Sequence, residues 1–362
     1  MGATFDDLVV WGQTMGMTLN EGLDRRCVDG VWGMFANRPI TEGEILASCP
    51  KSALIHPNPD AYPPGTSRSV MNIHAAAKRF MAHSGSTPSH FTLFESLEHL
   101  KSHSVFFLDE KELARIGEAS ADLCRAITAQ NTKNRKIIEA LSVFDPSLPV
   151  ECLTLMTLNY SSRAFGNDGF VPLVECFNHS TQQGELIDSS GDAIVLRAKS
   201  HIEAGNQAYI SYGLLDLFTH AVHYDYYDPA DSHILRFDKR FYFPVLQRSD
   251  MALASSLPWR VNQEVIHGMP VYTVSDHEAY LSMDGPSPTV VDILGAIVNG
   301  RAHSSTNPKT ELLTQLKRML DANHVDSFAR KYFPKSARRF HAVLRKEKEL
   351  LARNIDWANR CL

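Results

Sequence analysis

The chain contains no run of about 18 apolar residues, the length a helix needs to cross a bilayer, so nothing in it is expected to span a membrane. It contains no C-x-x-C pair either. Its cysteines, Cys27, Cys49, Cys124, Cys152, Cys176 and Cys361, are scattered, and no zinc site of the usual kind can be written from them. In a chain of 362 residues without an export signal, reduced buried thiols are expected rather than disulfides. The opening "MGATFDDLVVWG" has early acidic residues and no long apolar stretch, so it is not read as a signal peptide. Its Met-Gly start lacks the Ser or Thr that the myristoylation pattern places at position 6. Basic charge is not in surplus: 36 Lys and Arg face 41 Asp and Glu, for a net charge of −5. That balance argues against a general nucleic-acid binder. Internal repeats and low-complexity tracts are missing. With no clear nuclear-import run, a cytoplasmic location is expected, with the nucleus as the alternative.

What is present is ordinary for a globular protein: 44% hydrophobic and 21% charged residues, enough chain for one large domain or two to three smaller ones. "GVWGMFANRPITEGEILASCPKSALIH" reads as short strands broken by turns, with "TEGE" a turn and Ile45 to Ser48 a strand. The Pro- and Gly-rich "HPNPDAYPPGTS" reads as a loop. From about Val70 to Leu141 the pattern is helical, with Leu113, Ile116, Leu123, Ile127, Ile137 and Leu141 near helical spacing. A helix beginning near Pro149 places Leu153, Met156 and Tyr160 on one face. Strands return at Ala193 to Ala198 and Gln207 to Tyr212 around the turn "EAGN", and "RFYFPVL" is β-like. The chain ends in a helix with Phe340, Val343, Leu344, Leu351 and Ile355 on one face. The expected class is therefore α+β, a β core of short strands with a helical insert and helical additions.

"VPLVECFNHS", Val171 to Ser180, is an apolar run that ends in Asn-His-Ser, with a glutamate and a cysteine inside it. By itself it is either a buried strand reaching a turn or the floor of a site. Together with "GVWGMFANRPITEGEILASCPKSALI", "NYSSRAFG" and "AYISYG…HYDYYD", in this order and with a helical segment between the first and second, it resembles the SET-domain methyltransferases. The resemblance is to the branch containing Rubisco large-subunit lysine methyltransferase and the actin-histidine methyltransferase, and its motifs cover about Arg26 to Tyr227. It implies residues 20–60 as the first part of a split SET domain and 61–150 as its helical insert. Residues 151–235 would be the second part, and 236–362 a mostly helical C-terminal domain that docks a protein substrate.

The resemblance also implies the site. The backbone of Trp32, Gly33 and Met34 would hold S-adenosylmethionine, although the first glycine of the family's G-x-G is Val31. Arg163 would pair with the cofactor's carboxylate, as a planar guanidinium suits; taken alone, it reads equally as a surface charge at a helix end. Asn178 and His179 would line the cofactor, and Tyr226 would stack on the adenine. Tyr212 of "ISYG" takes the place of the catalytic tyrosine. Ser162, Phe165, Glu175 (Asp in the family) and Tyr224 would contact the substrate nitrogen or wall its channel. Read without the family, these tyrosines are equally aromatic core. Two further departures are Leu217 for an asparagine and Asp225 for a glycine. The implied activity is methyl transfer to a lysine, or less readily a histidine, of a non-histone protein by a monomer that needs no metal. The alternatives are a SET-fold binding protein without catalysis and a methyltransferase for a small molecule or peptide.

Overall fold

The computed structural model describes residues 4–28, 31–83, 89–180, 184, 187–212, 216–224, 234–236, 240–241, 260–266, 269–275, 280–292, 308–321, 323–324 and 339–361. The chain divides into two compact units. The first holds Met1–Leu108, Ile127–Gly213 and Val222–Tyr226, and the second Asp109–Ala126, Leu214–Ala221 and Tyr227–Leu362.

In chain order the elements begin with α1 (Phe5–Thr14), β1 (Thr18–Leu19), β2 (Leu23–Val28), β3 (Val31–Ala36) and β4 (Ile45–Pro50). The helices α2 (Arg68–Met81), α3 (Leu97–His103), α4 (Glu110–Ala119), α5 (Ala121–Phe144) and α6 (Val150–Arg163) follow. Then come β5 (Ala164–Phe165), β6 (Gly169–Phe170), β7 (Asn178–His179), β8 (Ile187–Asp188), β9 (Ala193–Arg197) and β10 (Gln207–Ile210), and helix α7 (Leu217–His223).

Two four-stranded sheets form the β part of the first unit, in the orders β1-β4-β9-β8 and β2-β3-β10-β7. Every pairing in them is antiparallel except β7 with β10, which runs parallel and sets Asn178 opposite Tyr209 and His179 opposite Ile210. The strands form where the sequence alternates. In β9 Ile194 and Leu196 are buried, and in β10 Ala208 and Ile210 are buried, while their neighbours are only half-buried or exposed. The turns expected at "TEGE" and "EAGN" are closed by Gly43 and Gly205 with φ of 83° and 90°, a region that costs glycine little. Inner faces of both sheets join Leu8 of α1 and the run Val171, Leu173, Val174, Phe177 in one hydrophobic core.

A second core lies in the helical insert. Ile73, Ala76 and Ala77 of α2, Ile138 and Leu141 of α5, and Leu153 and Met156 of α6 are buried together with Phe91 and Phe170. Ile138 takes the buried place here and Ile137 is only partly buried against the cluster, so the helical face is turned by one residue from the sequence reading. Helix starts follow local chemistry. Ser67 caps α2, Ser96 caps α3, and Asp109 with Glu112 makes a reciprocal capping box on α4. His74 of α2 ties the Pro-rich loop to the end of α5, with Nδ1 2.8 Å from the Tyr62 hydroxyl and Nε2 3.0 Å from the Asp145 carboxylate.

The second unit is richer in β-structure than the sequence suggested. Its described residues include β11 (Leu235–Arg236), β12 (Arg240–Phe241), β13 (Arg260–Ile266), β14 (Met269–Ser275), β15 (Tyr280–Ser282) and β16 (Gly285–Pro286), arranged in two three-stranded sheets. Seven registered pairs join β13 to β14, a hairpin the sequence reading passed over. Helices α8 (Pro308–Asp321) and α9 (Arg339–Cys361) pack together, with Leu312, Leu316, Phe340, Val343, Leu344 and Leu351 buried and Ile355 half-buried. Among the described residues, no helix is long and apolar enough to cross a membrane.

Leu153 is fully buried in the helical-insert core. Leu153→Ala is expected to lower stability by about 2–5 kcal/mol through lost burial and the cavity left behind. A fall in the denaturation midpoint at unchanged slope would register it.

Candidate active site

The run 171–179 approaches the sheet through a tight turn. Leu173 has φ of 68°, a conformation that strains a leucine, and a single 3-10 turn over Val174–Cys176 follows it. The apolar side chains stay in the core while Asn178 and His179 emerge as β7 alongside β10. The Asn178 amide then donates to the Trp32 carbonyl at 2.8 Å, which ties β7 to β3.

Tyr212 lies two residues beyond β10. Its hydroxyl donates to the Phe177 carbonyl at 2.9 Å and its backbone amide to Nδ1 of His179 at 3.0 Å. The same Nδ1 also lies 3.3 Å from the Ile210 carbonyl. The His179 and Tyr212 rings stack at 4.9 Å, and Tyr224 stacks on the other neighbour, Tyr212, at 5.0 Å. Burial pushes the Tyr224 phenol up to about 12, so it stays a neutral wall. Next to it, burial lowers the pKa of His223, whose Nδ1 sits 3.2 Å from the Ser161 carbonyl as a donor.

Gly33 lies directly under two polar side chains. A Cβ there would lie 2.3 Å from Nε2 of Gln207 and 3.0 Å from Nδ2 of Asn178. Beside it Trp32 is exposed, with the Arg25 guanidinium 4.4 Å above its ring. Trp32 and Arg25 also line an open groove of about 730 Å³ with Phe5, Val9 and Leu23.

Charge is concentrated on the far side of the run. Glu175 is buried and neither carboxylate oxygen has a hydrogen-bond partner among the described residues. Burial pushes its carboxyl up to about 7, against the pull of Arg163 and Arg25. The same burial, reinforced by Glu175, pushes the Cys176 thiol up to about 12, so this cysteine is an inert neighbour. Arg163, at the C-terminus of α6, forms an ion pair with Glu95 at 3.6 Å.

The structure brings Trp32, Gly33, Asn178, His179, Tyr212 and Tyr224 together, and Arg163 with Glu175. It adds detail at four further residues. Met34 is fully buried in the core, so only its backbone is placed to meet a ligand. The Ser162 hydroxyl turns back to the Leu158 and Asn159 carbonyls of its own helix, as serines near helix ends do. The Phe165 carbonyl already accepts from the Asp168 amide at 2.9 Å in the β5–β6 turn. The Glu175 carboxylate is buried within the electrostatic reach of Arg163 and Arg25. Tyr226 and Asp225 lie outside the described residues, and Leu217 is a buried residue opening α7.

Arg25, Glu95 and His223 were missed. Arg25 was within reach of the sequence: it shares parity with buried Leu23 on β2, so it points inward. Glu95 and His223 carry no local signal, because what matters is a contact across 68 and 62 residues of chain.

A β part built from two short-stranded sheets, a helical insert, and an Asn-His run beside a tyrosine column is the arrangement of SET domains. The SET domain profile matches residues 31–213, half of the chain, and the chain belongs to that family. Solved structures share its fold. For the SET domain of LSMT bound to lysine and AdoHcy the TM-score is 0.66 at 14% identity, covering 99% of this chain and 92% of that one. For Rubisco LSMT bound to AdoMet it is 0.64 at 15% identity, with the same coverage of 99% and 92%. A search of curated sequences finds no match.

Glu175 binds a proton more tightly folded than unfolded, so its contribution to stability is present below about pH 4.5 and lost as pH rises through about 7. Glu175→Gln is expected to flatten the stability profile across that window and to gain on the wild type above it. Thermal melts from pH 4 to 9 for both proteins would measure this, and parallel profiles would count against it.

Proposed function

We propose that this protein is an S-adenosylmethionine-dependent N-methyltransferase for a lysine side chain of a non-histone protein. The observation that carries the reading is the His179–Tyr212–Tyr224 column, with the Tyr212 hydroxyl proton committed to the Phe177 carbonyl. A hydroxyl whose proton is spoken for presents only lone pairs to what lies beyond it, and lone pairs favour the cationic transition state of methyl transfer to an amine.

The residues fit the cofactor at Arg163, which offers a partly exposed guanidinium for a carboxylate. When bound, the cofactor's sulfonium supplies an already activated methyl group, so the protein's task is positioning. Arg163 anchors the amino-acid end. Asn178, fixed by the Trp32 carbonyl, and His179, held by the Tyr212 amide, line the other end. A lysine must arrive neutral from a pKa near 10.4. The aromatic wall of Tyr212 and Tyr224 desolvates the ammonium and favours its loss of a proton to solvent. The acceptor lone pair is then aligned by the Tyr212 oxygen.

The likeness in fold to LSMT bound to lysine supports a lysine acceptor over a histidine. Docking of the substrate protein on the C-terminal region, a monomeric state and a cytoplasmic location belong to the same reading.

Tyr212→Phe is expected to lower turnover with cofactor affinity nearly unchanged. Arg163→Ala is expected to weaken cofactor binding by about 1.5–3 kcal/mol, the worth of a hydrogen bond to a charged group. Labelled methyl transfer into a cell lysate, with calorimetric titration of the cofactor, tests both. A labelled protein band that is lost in Tyr212→Phe supports the reading. Cofactor binding without any labelled protein favours a small-molecule acceptor, and no cofactor binding favours a SET-fold binder without catalysis.

A further inference from the structure

We infer that Glu95, His99 and His103 form a binding site for a divalent transition metal of the zinc type, separate from methyl transfer. His99 and His103 are one helical turn apart on α3, the spacing that places two imidazoles on one helix face. Glu95 precedes the N-cap Ser96 and reaches forward to both of them. Its Oε2 lies 2.9 Å from Nε2 of His103 and 3.6 Å from Nε2 of His99, and the three donor atoms all fall within 4.8 Å of one another.

Those spacings suit a metal ion. A zinc ion held at about 2.0–2.1 Å by nitrogen and oxygen ligands keeps tetrahedral ligand atoms about 3.3 Å apart. The two measured gaps bracket that value. Two imidazoles and a carboxylate are also the donors that borderline ions such as zinc or cobalt prefer over magnesium or calcium. His99 is mostly exposed and His103 mostly buried, so the fourth position opens to water.

The carboxylate is held in place before any ion arrives. The Glu95 amide donates to Oδ1 of Asn159 at 3.2 Å, and Nδ2 of Asn159 donates back to the Glu95 carbonyl at 3.3 Å. Asn159 is itself buried on α6. Arg163, one turn further along α6, sits 3.6 Å from the other carboxylate oxygen, Oε1, and orients it from outside the ligand set. Preorganisation of this kind separates a site from three polar residues that happen to be near each other.

The test uses the full chain stripped of metal and titrated with Co(II), followed by its visible absorption, with Zn(II) displacing the Co(II) and measured by calorimetry. One ion per chain at micromolar affinity or tighter is expected, with a rise in melting temperature on adding zinc. His99→Ala removes a mostly exposed ring and leaves the core intact. It should weaken binding by at least ~10-fold and abolish the zinc-dependent melting shift, and His103→Ala should do the same. His201→Ala, on a distant exposed histidine that pairs with Glu203, should change nothing. Absence of stoichiometric binding, or binding that survives both α3 variants, would overturn the site and leave Glu95 as an ordinary ion-pair partner.

Discussion

The parallel pairing of β7 with β10 is the constraint on which the candidate site depends. It fixes His179 opposite Ile210, so that the next turn of chain carries Tyr212 back over the imidazole. The Phe177 carbonyl then receives the tyrosine hydroxyl, and the His179 Nδ1 receives the tyrosine amide. Three consecutive residues, Phe177 and the β7 pair Asn178 and His179, thereby hold the core, the β3 backbone and the tyrosine in one register. A slip by one residue would turn His179 to the opposite face and release all three contacts.

Beneath this polar rim the run 171–177 bears its costs openly. Leu173 accepts a left-handed backbone, and Glu175 is buried with no hydrogen bond to either oxygen among the described residues. Backbone strain and an uncompensated buried carboxyl persist only where the surroundings over-determine them. Here the surroundings are a packed hydrophobic core on one side and the Arg163 and Arg25 guanidiniums on the other. The glutamate stands where the family pattern carries an aspartate, and burial raises the pKa of its carboxyl to about 7 against the pull of the two guanidiniums.

Arg163 links two features that are far apart in sequence. It terminates α6, whose buried Asn159 clamps the Glu95 backbone, and its guanidinium meets the Glu95 carboxylate from the side away from the α3 histidines. One helix end thus serves the cofactor reading and orients the proposed metal ligands.

Much of this was legible in the sequence. Alternation located β4, β9 and β10 within a residue or two, helical periodicity located the insert and the last helix, and the glycines of "TEGE" and "EAGN" marked their turns. The ordered motifs identified the family and assembled Trp32, Gly33, Asn178, His179 and Tyr212 before any coordinates. These signals are local: they depend on period, on turn chemistry and on short runs of residues. The hairpin of β13 and β14, the burial of Glu175, the inward Ser162 hydroxyl and the meeting of Glu95 with Arg163 were settled only by the tertiary structure. Each of these depends on which distant groups desolvate or pair with a side chain, and that is a property of packing and not of sequence spacing.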